Sequence, residues 1–212
     1  MNLSPRNAGQ MLLAGSLGLL VTMLFHPQGG NIEYLIKTST VIVASHSIAL
    51  LSIPFFLTGF WGLSQVWKHN TTVPILSFFI MLIAQLAGMI AAAINGLALP
   101  LFVTNLKSPD PDNEVLILIV RNMLALNHAF DLIFLAGACI SILIWSISII
   151  KTKPIPGGVG YFGILMSVAT LGVMVVASIE INLHTFRLFM SGYMIWTVWV
   201  AILLYKKGRS NG

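Results

Sequence analysis

Five histidines and six carboxylates are the chain's main candidates for chemistry, and their spacing is uneven. His128 and Asp131 are three residues apart, Arg121 lies seven before His128, and Glu180 lies four before His184. On a helix, such intervals place side chains on one face. Imidazoles and carboxylates together suit three kinds of work. They can ligate a divalent ion such as zinc, iron or copper. Two of them, His46 and His128, can serve as axial ligands of a b-type haem, with Arg121 for a propionate. They can also relay protons or coordinate a transported substrate. The metal set read this way is His46, His128, Asp131, Glu180 and His184, and the wider polar site adds Asn95, Arg121 and Arg187. Haem is the weaker cofactor reading, because Asp131 would set a carboxylate one turn from His128 on nearly the same face. A small non-catalytic subunit or assembly partner stays open beside these, so the residues leave enzyme against non-enzyme undecided.

The elements that must position these residues are membrane helices. Of 212 residues, 57% are hydrophobic and only 8% charged, against about 25% charged in a soluble domain. A span takes about 20 apolar residues, so the chain is filled by six spans and their connections. The expected architecture is an all-α, polytopic six-helix bundle forming one membrane domain over residues 1–212. The spans fall at about 9–25, 34–67, 73–103, 114–150, 159–180 and 186–205, where breaks interrupt the apolar pattern. Arg6 precedes the first span and HPQGG follows it without a small-residue cleavage site, which reads as a retained helix.

Charge gives the expected sidedness. With a cytoplasmic N-terminus, Arg6, Lys68, Lys151, Lys153, Lys206, Lys207 and Arg209 lie on the cytoplasmic face, seven of the 11 basic residues, and all six acids lie on or near the other side. The positive-inside bias then predicts both termini in the cytoplasm of a bacterial-type inner membrane. The net charge of +5 is thus a consequence of topology and predicts no nucleic-acid partner; the bilayer is the expected surrounding. Trp67, Tyr161 and Tyr205 fall where interfacial aromatics on that face belong.

Helix rise turns this into a depth ruler. Spans two and four, at 1.5 Å per residue, reach about 51 and 55 Å, well beyond a hydrocarbon core of about 30 Å. They should therefore project on the outer side. Counting about 20 residues from the cytoplasmic ends brings His26, His46, Asn95, His128, Asp131, Glu180, His184 and Arg187 to one outer level, and leaves His69 on the opposite face. The expectation is an outward-facing His/carboxylate site. Below it, Gln85 and scattered Ser and Thr are the polar exceptions in apolar inner halves, so no continuous polar path crosses the membrane.

The remaining features read as packing. Ala84, Gly88, Ala92 and Gly96 form a small-residue ridge at intervals of four, fit for close approach of a neighbouring helix or for a homo-oligomer seam, with the intramolecular contact favoured. Pro54 and Pro100 should kink or unwind their spans. A shift of 84 residues matches Trp61 with Trp145 and Gly88 with Gly172, a faint echo of a two-helix repeat. Cys139, alone in FLAGACISIL, has neither a disulfide partner nor a CxxC context. No HExxH, GxSxG, Walker A or GxGxxG occurs, and PGGVG at 156–160 reads as a tight hairpin.

Overall fold

A computed structural model describes residues 3–25, 32–67, 72–106, 113–176 and 183–210. Everything regular among them is helical. In chain order the elements are α1 (Pro5–Phe25), α2 (Ile32–Gln65), α3 (Val73–Ala93), a π-helical turn (Ile94–Ala98), α4 (Leu99–Thr104), α5 (Glu114–Thr152), α6 (Gly158–Val176) and α7 (Leu183–Ser210). Six stretches are long and apolar enough to cross a membrane, the third being α3 continued through the π turn into α4. The chain is a multi-pass membrane protein with an all-α, six-helix bundle.

Helix ends follow local chemistry. Asn113 caps α5 by accepting from Val115 N–H and Leu116 N–H at 3.0 and 3.1 Å, satisfying two of the donors that a helix start leaves without intrahelical partners. At its other end Lys153 adopts φ 51°, the left-handed turn that ends a helix, and Pro154 then prevents continuation. α2 stays helical through Pro54. Pro100, by contrast, is the second residue of α4, just after the π turn.

Both termini lie at one end of the bundle. The Arg6 guanidinium sits 5.5 Å from the centre of the Tyr205 ring, and a Cβ on Gly208 would come within 2.5 Å of the Arg6 backbone nitrogen. This end, hereafter the termini end, is tied by polar contacts. Trp67 Nε1 donates to Thr152 Oγ1 at 2.6 Å and Lys207 Nζ to the Pro154 carbonyl at 2.9 Å. Trp67 is 2% exposed, so it is a buried clamp between α2 and α5 and not the interfacial ring its position suggested. Tyr161, at 65% exposed, does present its ring to the surroundings.

α1 packs along α2 and α7, α3 along α5, and α5 along α6. The small-residue ridge of α3 is used inside the chain. Ala84 abuts Gly137 of α5, Gly88 faces the Phe134 ring, and Gly96 backs onto His46 of α2. The two positions of the faint repeat differ: Gly172 has no neighbour within 4 Å of an added Cβ.

α2 and α5, at 34 and 39 residues, are longer than a bilayer crossing requires. Their surplus is packed. Leu116 and Val120 of α5 and Leu99 and Val103 of α4 form a second buried cluster against Ile32, Leu35 and Ile36 of α2. That cluster lies toward the far end, opposite the termini.

Candidate functional site

Between the far-end cluster and the aromatic core lies a cavity of about 360 Å³, walled by α1, α2, α3, α5 and α7. Its size is at the small end of ligand sites, which run from about 300 to 1,000 Å³. His46, Asn95, His128 and Asp131 all contribute to its wall. Along their helices His46 and Asp131 stand about 30 Å from the termini end, one bilayer thickness.

His46 and Asp131 are held by local structure. His46 Nδ1 lies 2.9 Å from the Ile42 carbonyl. A carbonyl only accepts, so this bond puts the proton on Nδ1 and makes Nε2 the lone-pair nitrogen of the neutral ring. The ring is 6% exposed and lies flush on Gly96, where a Cβ would overlap its Cβ and Cγ. Gly96 belongs to the π turn, a helical irregularity that recurs at functional sites. Beside it, Thr22 of α1 donates to the Ser45 carbonyl at 3.0 Å, fixing α1 against the same turn of α2. On α5, Asn127 Nδ2 donates to Asp131 Oδ2 at 2.7 Å, an i,i+4 pair that orients the carboxylate.

Deeper in the cavity Gln85 Nε2 donates to the Tyr193 hydroxyl at 2.8 Å, both groups being buried. Gln85 is ten residues below Asn95 on the same helix, so this second polar level is about 15 Å further in. The wall between is apolar, with Phe56, Phe134, Phe186 and Met190 among its residues. Beneath Tyr193 the floor is aromatic. Phe60 stacks on Trp145 at 5.2 Å and Trp145 on Trp196 at 6.1 Å, and all three side chains are fully buried.

The residues expected from sequence divide into three groups. His46, Asn95, His128 and Asp131 share the cavity. Arg121 and Arg187 are not in its wall: Arg121 is exposed on α5, ten residues and about 15 Å beyond Asp131. Glu180, His26, His69 and the side chain of His184 lie outside the described residues. Among the described residues, no three His, Cys, Asp or Glu side chains gather into a set that could hold a metal ion. Among the wall residues outside the expected set are Asn127, Gln85 and Tyr193. Asn127 had a signal, its i,i+4 spacing to Asp131; Gln85 had one as an isolated amide in an apolar span; Tyr193 had none beyond its type.

Fold and cavity together define a class: a six-helix membrane bundle with a largely apolar, aromatic-floored chamber carrying a few polar groups toward the end opposite its termini. Comparison with known proteins adds no nearer kin, since no family model, curated protein or solved structure matches the chain.

Proposed function

We propose that this is a bacterial inner-membrane protein, both termini cytoplasmic, that binds a small ligand in an outward-facing His/carboxylate chamber. The observation that carries the reading is the cavity itself, in which four residues from α2, α3's continuation and α5 meet a largely apolar wall. Apolar walls with a few placed polar groups are the usual make-up of a small-molecule site. Ionisable groups inside a membrane domain are costly and ordinarily retained for function. The sidedness is supported by the seven basic residues on the termini face.

The chamber favours an organic ligand over an ion. A metal centre would draw on Glu180 and His184 to complete three or four ligands, because His46, His128 and Asp131 form no such set by themselves. Passage through the bundle is opposed by the buried floor of Phe60, Trp145 and Trp196. Binding without through-passage is therefore the reading.

Thiol labelling tests it in intact cells. In a Cys139→Ala background, Ala92→Cys in the chamber wall should react with a membrane-impermeant thiol reagent added outside, and Ala138→Cys in the closed core should not. Ala92→Cys that is inert, or that reacts only when the reagent reaches the cytoplasm, overturns the outward-facing chamber. Phosphatase fusions should be inactive after residue 209 and active within 104–113.

A further inference from the structure

We propose that the chamber takes a small organic cation, an ammonium group on an apolar body, with Asp131 as its counter-ion. This rests on the ligand-binding reading above and names the class of ligand.

The charge of the wall is the first argument. Among the described residues Asp131 is the carboxylate of the wall, and no lysine or arginine lines the cavity. Among the described residues the partner of the Asp131 side chain is the Asn127 amide, a neutral donor, and no basic nitrogen stands within ion-pair distance. A carboxylate taken out of water without a cation is strongly disfavoured. A ligand that brings a positive charge supplies the missing partner. An anionic ligand would instead meet a like charge.

The rings are the second argument. Phe134 stands three residues after Asp131, on the same face of α5 and within one helical turn, and it too lines the cavity. Its ring centre is 6.2 Å from that of Tyr193, which is 5.9 Å from that of Phe56. Aromatic faces attract cations, more strongly where water is excluded. A carboxylate with three linked rings beneath it thus offers one pole for the charge and a continuous apolar wall for the body. The volume of about 360 Å³ limits the ligand to a small one.

A charge series on one tail tests this. n-Hexylammonium, 1-hexanol and hexanoate would be titrated calorimetrically into the full-length protein in lipid nanodiscs, with protein-free nanodiscs subtracted. We expect n-hexylammonium to bind at least tenfold more tightly than 1-hexanol, and hexanoate to bind weakest. Asp131→Asn should erase the tenfold preference while 1-hexanol binding persists, which also shows that the variant is folded. Ala92→Trp, which fills the chamber, should abolish binding of all three. Equal affinity for alcohol and ammonium, or a preference for hexanoate, overturns the cation class and leaves the chamber reading standing. A preference that survives Asp131→Asn overturns Asp131 as the counter-ion. Binding untouched by Ala92→Trp, or no binding by any of the three, overturns the chamber reading and this inference with it.

Discussion

Below Tyr193 the helices meet through stacked rings, and above it they part around a cavity. Near the termini the contacts are short and closed. Trp145 Nε1 reaches both Ser64 Oγ and the Pro74 carbonyl, at 3.3 and 3.2 Å, and Ser77 Oγ donates to the Ser141 carbonyl at 2.7 Å. Toward the far end, polar groups line a cavity, and the close contact there is that of His46 on Gly96 of the irregular turn. In lipid, helices associate by packing and hydrogen bonding and not by escape from water. A bundle can therefore hold a cavity at one end only if the other end is packed well enough to hold the helices together.

The largest test of that division is to remove a floor ring. Trp196→Ala deletes a fully buried side chain stacked on Trp145, and large aromatic deletions in cores cost about 3–5 kcal/mol. We expect the melting temperature in detergent to fall steeply, or the folded protein to be lost. Phe186→Ala, in the half-buried chamber wall, should cost less than half as much. Equal losses would mean that the two halves are packed alike.

How far this division was legible beforehand varies by residue. The six spans followed from composition and length, because lipid imposes a minimum apolar run that no other solvent demands. His46 and His128 were found by counting residues from the charged helix ends, since helix rise converts sequence distance into depth. Arg121 shows where that method stops. Its phase matches His128 and Asp131, yet ten residues of rise separate it from Asp131 and it is exposed. The π turn was not legible: Pro100 signalled an irregularity, but nothing local marked residues 94–98, where Gly96 meets His46 across the bundle. The floor was hidden for another reason. Trp145, Trp196 and Phe60 lie on three separate helices, and stacking between them is a tertiary fact with no local pattern.

A second test uses added volume and expects opposite signs at the two levels. Ala138 is fully buried in the packed half, so Ala138→Leu should destabilise by about 1–3 kcal/mol through overpacking. Ala49 lines the chamber, so the same change there has room for its new methyl groups. Thermal melting should show Ala49→Leu unchanged or slightly raised. A drop at Ala49 as large as that at Ala138 would deny that the chamber is open space.

The smallest effect bears on how completely the packed half is satisfied. Among the described residues, neither the fully buried Ser146 Oγ nor Trp196 Nε1 on α7 has a hydrogen-bond partner. The two flank Gly163 of α6, whose absent side chain lets all three helices close at this point. Ser77, by contrast, makes a short bond to the Ser141 carbonyl. A made hydrogen bond between membrane helices is worth about 0.6 kcal/mol on average, while a buried hydroxyl left without a partner costs about 1–3 kcal/mol of desolvation. Ser77→Ala should therefore lower the melting temperature slightly, and Ser146→Ala should leave it unchanged or raise it. The pair differs in sign although both remove one oxygen from the same half of the bundle. A loss at Ser146 equal to that at Ser77 would mean that its hydroxyl is bonded after all, to a water bridging it to Trp196, and the packed half would then be wetter than its rings suggest.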